Sequence, residues 1–231
     1  MRLFRFLLLV VSTTTLARAG IITGVVSARG KEGTDTSGAG GKYDSRQFKF
    51  VEKINYAEMR DFVVLIEGRL TNAATATNLF REVITQKELK QKDAMFRPHI
   101  LPVSVGTKVG WPNEDDIFHN VFSMSEPKEF DLGLYKKGEA NKVIEFDKPG
   151  RVDVFCSIHS QMHCVVLVVE NPFFTVTDAK GRFTLADVPP GTYRLKAWHE
   201  RLPPQVKEIT VPASGEVKMD FTLGVNTLPK Y

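Results

Sequence analysis

Residues 156 to 164 read Cys-Ser-Ile-His-Ser-Gln-Met-His-Cys, which sets a thiolate, an imidazole and a thioether three residues apart at Cys156, His159 and Met162. Such a donor set suits copper. Soft sulfur favours Cu(I) and imidazole serves both oxidation states. Two imidazoles and a thiolate in a trigonal plane, with a weak thioether on the axis, therefore make a blue-copper electron-transfer site. The second imidazole has to come from elsewhere in the chain, and His119 is the candidate.

Strands must bring these groups together. Val152, Val154 and Cys156 alternate with Arg151, Asp153 and Phe155, a period-two pattern that puts the sulfur on the valine face, pointing inward. Val165 to Val169 is a continuous apolar run, expected to return as the next buried strand and to leave Ser157 to His163 as a tight connection. A ligand loop held between two core strands is rigid, which keeps rearrangement between Cu(I) and Cu(II) small. Val109 to Ser123 reads as a strand, a polar loop and a second strand that begins at His119. Within that loop Asn113, Glu114, Asp115 and Asp116 are expected to form a solvated turn, since no further carboxylate has calcium-site spacing.

Two segments resemble the small cupredoxins, especially amicyanin and the plastocyanin-like domains of methylamine-utilisation proteins. They are Trp111 to Val121, containing His119-Asn120-Val121, and Cys156 to Met162. The resemblance spans roughly residues 82 to 170, and the joint occurrence of both motifs is more specific than either alone. It implies a Greek-key β-sandwich in which His119 is the first copper ligand and the loop after Cys156 supplies the rest. It also implies that Asn120 bonds the backbone next to Cys156, and that the edge of His159 is the port for electrons.

Other metal and thiol chemistry competes with this reading. Cys156 and Cys164 are the only cysteines, and in an exported chain they are the one possible intramolecular disulfide. Cys156, His159, His163 and Cys164 are all zinc-type ligands, although one nine-residue stretch wraps poorly round a tetrahedron. Ligand atoms of His119 and Cys156 more than about 5 Å apart, or a bridge between Cys156 and Cys164, would overturn the copper reading. Cys164 departs from the cupredoxin pattern; sharing a face with Met162 and Val166, it is expected to be an inert core thiol. His163 is expected to face solvent, and His99 and His199 to be hydrogen-bonded structural residues.

Composition bounds the remainder. With 231 residues, 42% apolar and 25% charged, the chain suits one large or two small soluble domains. Residues 1–19 combine a basic start, an apolar stretch from Phe6 to Ala17 and the small-x-small site Ala17-Arg-Ala19, the signature of a cleavable export signal. That leader holds three arginines and no acid, so its removal lowers the net charge from +4 to +1. The mature chain shows no nucleic-acid footprint and no membrane span, and Lys87 to Lys92 is expected to be a solvated face. Residues 28–45 read as a flexible loop, and residues 78–92, whose period is ambiguous, are expected to hold a short helix.

Beyond residue 170 the pattern is again β, with turns at Lys180-Gly181 and Pro190-Gly191 and alternating strands at Val206 to Val211 and Val217 to Leu223. Asp178, Gly181, Phe183, Pro189, Gly191 and Tyr193 resemble the hallmark hairpin of the transthyretin-like or carboxypeptidase-regulatory-like sandwich. About fifty residues hold too few strands for one. Strand-like segments at Gly24 to Val26 and Phe62 to Ile66 are available to complete it. Residues 20–70 would then pair with 171–224 around an inserted copper domain at 82–170, or three units would follow in a row; both arrangements stay open.

The expectation is an all-β, exported protein, periplasmic or secreted, that binds one type 1 copper ion through His119, Cys156, His159 and Met162 and passes single electrons. It would serve a redox partner protein, a cytochrome or a dehydrogenase. Copper oxidases and nitrite reductases need a second copper site, which five histidines do not easily furnish, so no catalysis is expected. A copper carrier and a metal-free interaction module are the alternatives.

Overall fold

The computed structural model describes residues 19–30, 55–70, 86–139 and 142–224. Strands β1 (Gly20–Ala28) and β2 (Val63–Ile66) come first. Ten strands follow: β3 (Lys87–Glu88), β4 (Lys90–Lys92), β5 (Met95–Arg97), β6 (Ile100–Ser104), β7 (Thr107–Gly110), β8 (His119–Ser125), β9 (Lys128–Tyr135), β10 (Val143–Phe146), β11 (Gly150–Phe155) and β12 (His163–Val169). The last six are β13 (Phe174–Val176), β14 (Arg182–Val188), β15 (Gly191–His199), β16 (Leu202–Val211), β17 (Glu216–Lys218) and β18 (Phe221–Leu223). Among the described residues the one helical segment is a 3-10 turn at Tyr56–Glu58, capped by the Asn55 side chain. The fold is all-β, as the patterns predict. The export signal, nearly all of the 28–45 loop and residues 78–85 of the expected helix lie outside the described residues.

The described part of that helix segment is strand. Leu89 and Gln91 are buried while Glu88, Lys90 and Lys92 are exposed, an alternation hidden in the sequence because one inward residue is a glutamine. The Gln91 amide donates to the Trp111 carbonyl at 3.1 Å and to the Tyr135 hydroxyl at 2.7 Å, partners that offset the cost of burying it. The lysines of this stretch are solvated, as expected.

The middle ten strands form an inner sandwich. A five-stranded sheet, β6-β12-β11-β8-β9, and a three-stranded sheet, β10-β7-β3, enclose Trp111, Val121, Tyr135, Phe146, Val154 and Val166. The β4–β5 hairpin lies beside them, its turn residues Asp93 and Ala94 both at positive φ, 55° and 51°. Two successive positive φ values give the turn whose twist suits a tight hairpin.

The outer sandwich draws on both ends of the chain. In one sheet β1 pairs with β14 on one side and with β17 and β18 on the other; in its second sheet β2 lies between β13 and β15, with β16 at the edge. Ile22, Val64, Ile66, Phe183, Leu195 and Phe221 fill the space between. The hallmark hairpin is closed by Asp178, whose carboxylate accepts the amides of Lys180 and Arg182 at 2.8 and 2.9 Å. Gly181 sits at φ 76° against the Val26 carbonyl, where any Cβ would collide. Tyr193 closes the next turn by donating to the Pro189 carbonyl at 2.9 Å.

Two strands join the sandwiches. Along β12, Cys164, Val166 and Val168 face the inner core, while Leu167 and Val169 pack with Ile100, Val63 and Leu65 against the outer sandwich. Along β2, Val64 and Ile66 face the outer core and Val63 and Leu65 face β12. Strands covered on both faces read as continuous apolar runs rather than alternating ones, and Val165 to Val169 and Val63 to Ile66 are such runs.

Candidate metal centre

The site is built where β8, β11 and the β11–β12 connection meet. On β11, Val152 and Val154 point into the inner core, and Cys156 continues on that face with 6% exposure. The connection closes on itself: the Met162 amide donates to the His159 carbonyl at 3.0 Å and the Cys156 amide to the Met162 carbonyl at 3.2 Å. Met162 is thereby fixed in the core, buried alongside Cys156. Its backbone is tied to both neighbouring candidate residues.

His119 opens β8 with its side chain wholly buried. Its Nδ1 lies 3.0 Å from Nδ1 of His159, and Nδ1 of His159 lies 3.7 Å from Sγ of Cys156. The three ligand atoms are within 4.8 Å of one another. The Asn120 amide points at the same sulfur, 3.5 Å away, a donor that helps to orient it. The Asn120 side chain goes elsewhere, donating to Asp131 at 2.7 Å. So the bond expected between that side chain and the backbone beside Cys156 is replaced by a backbone-to-sulfur contact.

Asp115 sets the tautomer of His119. Its Oδ2 lies 2.8 Å from Nε2 of His119, and a carboxylate there takes the ring N–H, leaving the Nδ1 lone pair aimed at His159 and Cys156. The carboxylate is itself held by the amides of Asp93 and Ala94 in the β4–β5 turn, at 2.9 and 3.0 Å. Burial pushes the Asp115 carboxyl up, but those amides and His119 outweigh it and hold the group below its ordinary value. Asn113 braces the loop, donating to the carbonyls of Ile117 and Tyr135 and accepting the Asp115 amide. Asp116 alone of the two aspartates is solvated, at 91% exposure. The solvated turn expected here is thus, at Asn113 and Asp115, a built support for the first imidazole. Sequence offers no signal for it, because an Asp four residues before a His has no fixed relation to it in a loop.

The rival readings find no geometry. Both cysteines are free thiols, so no disulfide joins them. Cys164 is fully buried on the core face of β12, and burial pushes its thiol well up, as suits an inert core position. The four-residue zinc set is not assembled, because His163 turns instead to Asp153, at 2.9 Å, and stacks on Phe155. His163 is therefore half-buried and paired rather than simply solvent-facing. His199 is buried against Phe62 and accepts the Arg201 amide at 3.1 Å, the structural role expected of it, and burial lowers its pKa. His99 is likewise hydrogen-bonded, to the His163 carbonyl and to Glu200.

Of the two imidazoles at the site His159 is the nearer to solvent: it is partly exposed and flanked by exposed Ile158 and Ser160, while His119 is sealed inside. Beneath the site Tyr135 donates to the Trp111 carbonyl at 2.7 Å, and burial pushes its phenol up to about 12. Copper fits these residues. Two imidazole nitrogens and a buried sulfur facing one point are the donors that copper in either oxidation state accepts.

Residues 164–224 match the family model of the carboxypeptidase regulatory-like domain. The match takes in β12 and β13 to β18 but neither β1 nor β2. No curated protein matches the chain in sequence. Among solved structures it is similar to the copper-containing nitrite reductase of Thermus scotoductus SA-01 at 29% identity, over 37% of this chain and 23% of that one, with a TM-score of 0.35. It is similar to a purple cupredoxin from Nitrosopumilus maritimus at 23% identity, over 36% of this chain and 98% of that one, TM-score 0.32. A reduced Cu(I) form of an amicyanin variant is similar at 24% identity, over 36% of this chain and 81% of that one, TM-score 0.33. The chain thus spans under a quarter of the length of the nitrite reductase it resembles, and no helix among its described residues is long and apolar enough to cross a membrane.

Proposed function

We propose that this protein binds one type 1 copper ion and passes single electrons. His119, Cys156 and His159 would be the equatorial ligands and Met162 the weak axial one. The observation that carries the reading is the convergence of His119, Cys156 and His159 within 4.8 Å, with Asp115 fixing the lone pair of the buried imidazole. When bound, copper supplies one-electron redox chemistry. The chain holds the donors in place: β8 carries His119, the closed connection that follows β11 carries the other three, and burial excludes water from all but the His159 edge. That edge is the path for electrons to and from a redox partner protein, a cytochrome or a dehydrogenase. No substrate is turned over in this reading.

The protein is exported, periplasmic or secreted, with its leader removed after Ala19. The copper sandwich is an insertion: the chain leaves the outer sandwich after β2 and returns to it at β13. The carrier alternative needs Cys164 and His163 to join the ion. It is disfavoured because the first is sealed in the core and the second is engaged by Asp153. Repeated anaerobic reduction and reoxidation in the presence of a Cu(I) chelator tests the choice. One electron per chain with copper retained over many cycles is expected; loss of copper to the chelator on the first reduction would make the protein a carrier.

A further inference from the structure

We propose that His99, His163 and Glu200 form a second metal site, at the junction of the two sandwiches, for a borderline divalent ion such as Zn²⁺. It does not rest on the copper reading. His99 precedes β6 and His163 opens β12 in the inner sandwich, whereas Glu200 lies in the turn between β15 and β16 of the outer one. Their ligand atoms all lie within 4.8 Å of one another.

The hydrogen bonds around the cluster orient it inward. Nδ1 of His99 is 3.1 Å from the His163 carbonyl, which only accepts, so Nδ1 carries a hydrogen and Nε2 is the nitrogen that faces the cluster. Nε2 faces Oε1 of Glu200 at 2.7 Å, a contact that needs a proton or a metal ion between the two atoms. Nε2 of His163 is 2.9 Å from Oδ1 of Asp153, which takes its N–H and leaves Nδ1 facing Oε2 of Glu200 at 4.0 Å. The Asp153 charge is already met by Arg151, through two bonds of 2.8 and 2.7 Å. Each imidazole is thus anchored on its outer nitrogen by an acceptor, a carbonyl for one and a carboxylate for the other, while the inner nitrogens and one carboxylate converge. Histidines that bind metals are held in this way.

A proton satisfies His99 and Glu200 alone, and leaves the 4.0 Å separation between His163 and Glu200 too long for a hydrogen bond. A metal ion engages all three groups. At bond lengths of about 2.0–2.1 Å, tetrahedral donors sit roughly 3.3 Å apart, and the present separations bracket that value. Two nitrogens and a carboxylate without sulfur suit Zn²⁺ or Cu²⁺ rather than Cu(I), Mg²⁺ or Ca²⁺. A cleft of about 370 Å³, lined by His99, Glu200, Arg60 and His199, opens beside two of the three groups. Bound there, the ion clips the outer sandwich to the strand that leaves the Cys156–Met162 connection.

The test counts zinc retained by the full chain carrying Cys156→Ser and His159→Ala, which disable the other donor set. One zinc per chain after gel filtration is expected, with at least a tenfold loss of affinity on adding His99→Ala or Glu200→Gln. Should the doubly substituted chain fail to fold, the unsubstituted chain should hold two zinc ions and its Glu200→Gln variant one. No zinc retained, or retention unmoved by either change at Glu200 or His99, would leave an ordinary imidazolium–carboxylate pair and overturn the proposal.

Discussion

Asp115 decides which nitrogen of His119 is free. Replacing it by Ala removes the acceptor at 2.8 Å from Nε2 and the acceptors of two turn amides, so copper affinity should fall by about 10–100-fold. Asp116→Ala, one residue on and solvated, should leave affinity unchanged; competition with a copper chelator measures both. Cys164 presents the opposite case. Cys164→Ser sets a hydroxyl in the core and should cost about 1–3 kcal/mol of stability by denaturant unfolding, yet keep the copper spectrum, because that thiol stands apart from the His119 set. The donors themselves were legible as residue types at a spacing. Asp115 was not, because its role depends on where the loop folds and on amides from a hairpin some twenty residues earlier.

At the scale of elements, each strand is readable when its burial has a simple period. β11 alternates and β12 is apolar throughout, and both patterns follow from their surroundings: one strand covered on one face, the other on two. The stretch through β3 and β4 escaped because its inward residues are Leu89 and Gln91, and a buried amide looks like surface until its partners Trp111 and Tyr135 are in place. The Asp178 hairpin was legible from its turn chemistry, and it carries a pH prediction. The Arg182 amide and side chain hold the Asp178 carboxyl below its ordinary value. A depressed carboxylate contributes stability above its unfolded pKa and loses it as pH falls through the folded one. The midpoint of thermal unfolding should therefore drop on acidification below about pH 4, and Asp178→Ala should flatten that drop.

For the whole molecule, the governing feature is that both sandwiches are packed on the same two strands. Leu167, on the outward face of β12, is 8% exposed and packs with Val63, Leu65, Ile100 and Val169. Leu167→Ala should cost about 2–3 kcal/mol while leaving the inner core intact. Calorimetry of the metal-free chain should show one unfolding transition, and Leu167→Asp, which sets an unpaired charge in that interface, should split it into two. Strand pairings between residues 20–28 and 182–223 join segments far apart in sequence. Pattern alone left open whether they meet, because alternation says that a face is covered and not by what.

One buried sulfur stands with two imidazoles within 4.8 Å, and the visible and electron paramagnetic resonance spectra of residues 20–231 after Cu²⁺ addition test most directly whether the three hold copper. An intense blue or green thiolate-to-copper band with narrow hyperfine splitting, abolished in Cys156→Ser, is the predicted result. Copper bound only as an ordinary tetragonal ion, with no such band, would contradict it.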